Sequence, residues 1–426
     1  IFVVWAQNRA QKRKYPLKCK ALLRNVQNKE CETAMGNENS GNSRVRDIHY
    51  LSENNKNAIL NFLRINGPAS RADISRSLGL SFPAVSSNVK GLLEAGMICE
   101  AGDAANAMGR KGKLLAINTH RSYFIGLDLG GKNVCGMCAD VMGKMLSFKK
   151  RTYTGDVALE QIGAFVREVI REAGIAAEDV AAIGVGLPDF SDKVGSAVPC
   201  SPPGYPEAEE IQQYLKDSFT KKIYFEKNAN LGAVGERWKG VAQGYENIVF
   251  LDIGINISAG LINHGRLIRG GHNAAGAIGF MTLERSFLSN VHRGERSLEL
   301  LIPSGQVERI LALTVDYGDE EIDLNFVEQR LRDYLSPVFT DYMYIYTAMA
   351  VINTVALMDP DLVVISGRLG RAIYEKYKNE IGELVHAYVP FKPEICSSEL
   401  KEKAIAYGAV AMAAEEADEK YKELFE

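Results

Sequence analysis

No run of about 18 consecutive apolar residues occurs in the 426-residue chain, so the sequence offers no transmembrane helix. The opening Ile1-Phe-Val-Val-Trp-Ala6 is too short for the core of a signal peptide, and its basic residues follow it instead of preceding it. A disulfide framework is missing too. The seven cysteines are odd in number and widely scattered, the pattern of reduced thiols in a cytoplasm. Cys135 and Cys138 form a CxxC, but they fall in an apparent strand, where positions three apart face opposite sides, and no second ligand pair is near. They read as buried free thiols. Charge of one sign is also scarce. The net charge of −3 averages out any case for nucleic acid, although residues 51–120 hold eight Lys/Arg against five Asp/Glu. With 46% hydrophobic and 24% charged residues, the chain is a soluble globular protein with room for two or three domains.

The chain is organised around residues 54–118. Ser70 caps a short helix whose Ile74 and Leu78 lie four apart on one face, and Gly79 ends it and permits a tight turn. Ser81 caps the next helix, with Pro83 in its first turn, where a missing N–H costs least. Val85, Val89 and Leu92 make its buried stripe, and Gly96 stops it. The opposite face carries Ala84, Ser86, Ser87 and Lys90. These small, polar or basic side chains, with Ser81, are expected in a major groove against base edges and phosphates. An αα-hairpin packed on another element is the plainer alternative. A first helix over 54–65, with Ile59, Leu60 and Leu63 on one side, precedes this pair. Two apolar runs, Met97–Glu100 and Lys113–Ile117, follow and bracket a loop rich in Gly, Ala and Asn. Three helices and such a hairpin make a winged helix-turn-helix. The loop places Arg110, Lys111 and Lys113 beside glycines, so that these cations reach phosphates or the minor groove. A flexible charged linker is the other reading.

Residues 1–45 differ from the rest: a basic run from Arg9 to Arg24, then the polar Gly36–Ser43. The chain opens on Ile, and Met35 directly precedes the polar stretch. A natural start at Met35 is expected, and a basic DNA-binding arm is the alternative.

From Tyr123 the pattern becomes α/β. Phe124-Ile-Gly-Leu-Asp-Leu-Gly-Gly131 reads as a strand ending in Asp128 and two glycines. Strands over Asn133–Asp140 and Met145–Phe148, an amphipathic helix from Leu159 to Ala173 and a strand over Val180–Leu187 follow. A proline-rich loop, Phe190–Pro206, comes next, then a strand over Lys222–Glu226 and a helix over Asn228–Lys239. A second unit begins at Ile248–Asp252 and continues with Ser258–Ile262 and Leu267-Ile268. Helices are expected over Leu324–Tyr334 and Pro337–Met358, a buried strand over Leu362–Ile365, and a C-terminal helix within 401–426. Two βββαβα units in series imply two lobes with a cleft between them.

The winged helix, followed by Ile125-Gly-Leu-Asp-Leu-Gly-Gly131, Gly184-Val-Gly-Leu-Pro188, Glu226-Lys-Asn-Ala-Asn230, the Gly270–Gly279 stretch and Leu362-Val-Val-Ile-Ser-Gly367, resembles the ROK family over about residues 50–415. That family groups sugar-responsive repressors with sugar kinases on an actin-like ATPase fold, and the members with a winged helix are transcriptional regulators. The resemblance implies α+β and α/β structure. A winged helix-turn-helix (50–118) would precede a two-lobed, ribonuclease H-like ROK domain (122–416, lobes about 122–245 and 247–416).

The departures from the family pattern are informative. The kinases use an Asp in Asn-Asp-Ala-Asn as the base that takes the sugar proton; the matching residues here are Lys227-Asn228-Ala229-Asn230, and Asn228 cannot act as a base. Lys227 stands where the family has a sugar-binding Asn. The phosphate loop Gly-Thr-Gly-Ile-Gly-x-Gly appears as Gly254-Ile-Asn-Ile-Ser-Ala-Gly260, with Asn256 and Ser258 in place of glycines. Lys132 replaces the usual Thr of the first loop. The motif Gly-Glu-Ile-Gly-His appears as Gly276-Ala-Ile-Gly-Phe280, without its carboxylate and its zinc-ligand His, and only Glu299 survives from the cysteine-rich ending. The expectation is a cytoplasmic DNA-binding regulator, probing an operator duplex as a homodimer or homotetramer. No catalytic residue, cofactor, metal or membrane contact is expected. A sugar or acidic sugar derivative would act as effector at Lys227, Asn228 and Glu299. Two alternatives stand beside it: a ligand-independent DNA-binding protein whose second domain is a dimerisation scaffold, and a sugar kinase with relocated machinery.

Overall fold

The computed structural model describes residues 54–103, 112–188, 204–254, 256–288, 297–302, 329 and 342–417. The 1–45 extension, Arg110, Lys111, the loop from 189 to 203 and, Gln329 apart, the helix expected over Leu324–Tyr334 lie outside the described residues.

The first helix, α1 (54–66), buries Ile59, Leu60 and Leu63. Ser70 caps α2 (Arg71–Leu78) in a reciprocal box. Its hydroxyl accepts the Asp73 amide at 3.3 Å and donates to the Asp73 carboxylate at 2.6 Å, which holds that carboxyl below its usual range. Gly79, at φ 66°, closes α2 in the left-handed conformation. Ser81 accepts the Ala84 amide at 3.4 Å and starts α3 (Phe82–Glu94) with Pro83 in its first turn. Val85, Val89 and Leu92 are buried as expected, and Asn88 joins them. Its side-chain amide donates to the Ala84 carbonyl one turn back at 2.9 Å, which satisfies a buried polar group locally. Behind the helices, β1 (Ala69–Ser70), β2 (Ile98–Asp103) and β3 (Lys113–Ile117) form an antiparallel sheet in the order β1-β3-β2.

The remainder contains two five-stranded sheets. The first holds β4 (Tyr123–Asp128), β5 (Asn133–Asp140), β6 (Met145–Thr152), β7 (Val180–Leu187) and β8 (Lys222–Lys227), ordered β6-β5-β4-β7-β8. The second holds β9 (Ile248–Ile253), β10 (Ile257–Asn263), β11 (Arg266–Leu267), β12 (Leu362–Ser366) and β13 (Glu394–Ser397), ordered β11-β10-β9-β12-β13. Each sheet, numbered within itself, therefore runs 3-2-1-4-5, with an antiparallel meander followed by parallel strands. This is the internal duplication expected from the sequence. The first lobe also has α4 (Leu159–Glu172), α5 (Ala208–Ser218) and α6 (Asn228–Lys239); the second has α7 (Ser297–Leu301), α8 (Met343–Met358), α9 (Arg368–Tyr388) and α10 (Lys403–Ala417).

Helices α6 and α10 form the layer between the sheets. α10 packs on β4 and β7, α6 packs on β9 and β10, and the two helices meet along a seam of small residues. A Cβ on Gly408 would lie 1.9 Å from the Leu231 carbonyl oxygen, and one on Gly235 would lie 2.0 Å from that of Ala404. Backbone meets backbone there, so the N-terminus of α6 is held in one place. Cys135 and Cys138 are buried on β5, and burial pushes the Cys138 thiol up to about 12, which leaves it unreactive. Among the described residues no helix is long and apolar enough to cross a membrane.

Candidate functional site

Two places carry the residues singled out by sequence. The first is the outer face of α3. Ser81, Ser87 and Lys90 are exposed, and Ala84 and Ser86 are half-buried. Their spacing of three and four residues puts Ser86, Ser87 and Lys90 on one face, opposite Val85, Asn88, Val89 and Leu92. Lys90 lies 3.8 Å from Glu94 with both side chains solvated, a weak pair that a phosphate would readily replace. Phe82 is 54% exposed at the start of the helix, although nothing in the polar pattern marks it. Lys113 opens β3, exposed and 3.8 Å from Glu100. Arg110 and Lys111 lie outside the described residues.

The second place is the cleft between the sheets, a cavity of about 370 Å³. Asp128, at the end of β4, and Asp252, in the matching position on β9, both line it. Asn228 is the first residue of α6. Its side-chain amide donates to Asp128 Oδ1 at 3.0 Å, and the Gly130 amide donates to the same oxygen at 3.0 Å. The other end of the amide, Asn228 Oδ1, is buried with no hydrogen-bond partner among the described residues. Where the kinase pattern has a proton acceptor, this chain has a donor. Burial raises Asp128 from the usual 3.8 to about 6, against the pull of its two hydrogen bonds.

The pH dependence follows. The folded chain binds a proton at Asp128 that the unfolded chain has released between about pH 4 and 6, so this carboxyl's contribution to stability falls as pH rises through that window and is flat above it. Asp128→Asn should therefore gain about 2–3 kcal/mol on the natural chain between pH 4.5 and 7, at about 1.4 kcal/mol per unit. Urea unfolding of both proteins at the two pH values checks this; a constant difference would mean that Asp128 is ionised throughout.

Lys227, the last residue of β8, is 4% exposed, and its ammonium donates to the Ala275 carbonyl at 2.5 Å. The neighbouring Glu226 accepts from the Lys227 amide, from Asn230 and, at 2.7 Å, from Arg269. Glu226 thus ties the stretch after β11 to the root of α6. Lys227 and Asn228 both line the cavity. Glu299 lies outside that lining: its carboxylate accepts the Ile257 amide at 3.0 Å and anchors the start of β10. Asn256 and Ser258 bring side chains into the second loop, where the kinase pattern has glycines.

Sequence reasoning passed over the cations on the other walls: Lys150 and Arg151 of β6, Arg368 and Arg371 of α9, and Lys401. The available signal was Ser366-Gly-Arg-Leu-Gly-Arg371, two arginines one helical turn apart directly after a buried strand.

The ROK family profile matches residues 124–416. The chain belongs to the ROK family. A winged helix-turn-helix DNA-binding profile matches residues 53–98 of this ROK protein. The xylose repressor of Caldicellulosiruptor bescii is 23% identical to it over 386 residues, which cover 85% of this chain and 96% of the repressor. A glucokinase of Thermotoga maritima is 24% identical over 307 residues, 68% of this chain and 96% of the kinase. Among solved structures, a ROK family transcriptional regulator described as a homologue of the Escherichia coli MLC protein has a TM-score of 0.63 at 18% identity, covering 88% of this chain and 98% of that one. That last likeness is one of fold. Repressors and kinases are thus both among the relatives of this ROK protein.

Proposed function

We propose that this ROK protein is a sequence-specific DNA-binding transcriptional regulator of carbohydrate genes, a cytoplasmic repressor whose kinase-like domain has given up phosphotransfer for dimerisation and effector sensing. The observation that carries the reading is the outer face of α3. It is small, polar and basic, capped by Ser81, and braced from behind by a buried stripe that fixes its orientation. Two such helices in a homodimer read half-sites about one helical turn or a multiple of it apart. Ser81, Ala84, Ser86, Ser87 and Lys90 enter the major groove, while Arg110, Lys111 and Lys113 meet backbone or minor groove.

The loss of phosphotransfer rests on Asn228. Removal of a general base typically costs about 10²–10⁴ in rate, and Asn256 and Ser258 intrude where backbone amides would cradle phosphates. The effector, a sugar or acidic sugar derivative, sits against Lys227 and Asn228, with Glu299 holding β10 behind them.

Selection from random duplexes tests the division of labour on α3 and the wing. Ser86→Arg should change the winning sequence, whereas Lys113→Ala should weaken all duplexes alike and lower the salt slope by about one. A uniform loss from both would refute the assignment. Coupled ADP release over a panel of hexoses should stay at the sugar-free blank, and sugar-dependent turnover would restore the kinase reading.

A further inference from the structure

The cleft is more basic than a neutral sugar requires. Six cations line it, Lys150, Arg151, Lys227, Arg368, Arg371 and Lys401, against three carboxylates, Asp128, Asp252 and Glu402. Arg151 is committed to Glu168 at 2.6 Å, and Lys227 donates to the Ala275 carbonyl. The other four cations come from three separate parts of the chain: Lys150 from β6, Arg368 and Arg371 from the first turn of α9, and Lys401 from the segment before α10.

Glu402 lies among them. Its Oε1 is 3.4 Å from Arg371 Nη2 and 3.8 Å from Lys150 Nζ. A well-made ion-pair hydrogen bond is about 2.7–2.9 Å long. One carboxylate oxygen therefore faces two cations from opposite lobes and closes tightly on neither. The Arg371 side chain is only 12% exposed, so this charge is poorly screened by solvent. Lys401 is held in the left-handed region at φ 54°, a conformation non-glycine residues keep only when their surroundings impose it. Here the anchor is Glu236, fully buried on α6. It accepts from the Ser398 hydroxyl at 2.5 Å and from the Leu400 amide at 3.1 Å, while Ser398 Oγ accepts the Lys401 amide at 3.0 Å. The same helix that carries Asn228 thus fixes the segment that brings Lys401 to the cavity.

We propose that this end of the cleft binds a phosphomonoester dianion carried by a small ligand. The phosphate takes the place between Arg371 and Lys150 now held by the Glu402 carboxylate, with Arg368 and Lys401 completing the shell. Guanidinium groups suit phosphate geometry, and ligands drawn from both lobes make occupancy a bridge across the cleft. The proposal rests on the effector-sensing reading above and names the effector's chemistry. Two sources share that chemistry, a sugar phosphate and a nucleotide.

Calorimetric titration of the full chain with glucose 6-phosphate, AMP and glucose tests it. One of the two phosphates should bind with a Kd of about 1 mM or tighter, and glucose at least about tenfold more weakly. Whichever phosphate binds identifies the source. Arg371→Gln should weaken that binding by about tenfold or more, whereas Glu402→Gln, which removes the competing carboxylate, should tighten it several-fold. Damage to the fold cannot produce opposite signs, so the second variant decides even if the first folds poorly. The proposal is overturned if neither phosphate binds more tightly than glucose, or if both variants leave phosphate affinity unchanged. If glucose alone binds and shifts operator affinity, the effector reading stands without the phosphate; if no compound shifts operator affinity, both fall.

Discussion

Ser87→Asp should lower the affinity of the full chain for its selected duplex by about 100-fold near 0.15 M salt, with no change in thermal stability. Ser87 is exposed midway along α3, on the face that also carries Ser86 and Lys90, so the substitution costs the fold nothing. In the groove it replaces a neutral hydroxyl by a charge that phosphates repel and that can accept only from cytosine. Loss of one base contact accounts for about 1–3 kcal/mol, and repulsion adds to it; about 2.7 kcal/mol is a factor of 100. Anisotropy titration against a labelled duplex measures the loss. Unchanged affinity would remove α3 from the interface and leave it a packing helix.

Gly408→Val should destabilise the second domain by about 3 kcal/mol or more, seen as a melting temperature roughly 6–12 °C lower. The first side-chain atom would lie 1.9 Å from the Leu231 carbonyl oxygen, and neither helix backbone can yield without parting the seam between α6 and α10. That seam positions Asn228, so ligand binding at the cleft should fail as well. Gly382 on α9 is the control. Nothing lies within 4 Å of a Cβ there, and Gly382→Ala should stabilise by about 0.5–1 kcal/mol. Differential scanning calorimetry of both variants separates the outcomes, and equal effects would mean that the seam is loosely packed.

What was legible in the sequence follows the range of each signal. The caps at Ser70 and Ser81 and the stop at Gly79 act over three or four residues, and the structure places each where its local chemistry requires. Strands β4 and β7 are unbroken apolar runs, and β9 and β12 repeat that pattern, so the duplicated sheets were visible too. By contrast α9 carries Gly370 and Gly382 and a non-helical residue at Tyr377, which interrupt the helical period. The half-buried β13 has only four residues, and α5 buries only Ala208, Ile211 and Leu215 among polar neighbours. Asn88 was left off the buried stripe because its polarity is satisfied by a carbonyl four residues back, a bond that only the folded helix supplies.

The cleft was legible only in part. Asp128 and Asn228 are a hundred residues apart, and the family resemblance was what joined them before the 3.0 Å hydrogen bond did. Lys150, Arg371 and Glu402 belong to no shared motif; the order of strands and the α6–α10 seam bring them together. Such a charge cluster is a property of topology and cannot be read from spacing along the chain.

Of all the measurements, anisotropy titration of the full chain against its selected duplex and a scrambled duplex of the same composition, at several salt concentrations, bears most directly on the claim that a kinase fold here serves an operator-binding protein. A palindromic duplex held about 10³-fold or more tightly than the scrambled one at physiological salt is the expected result. Equal, weak and steeply salt-dependent affinity for both duplexes would contradict it, and would leave the winged helix a non-specific phosphate binder.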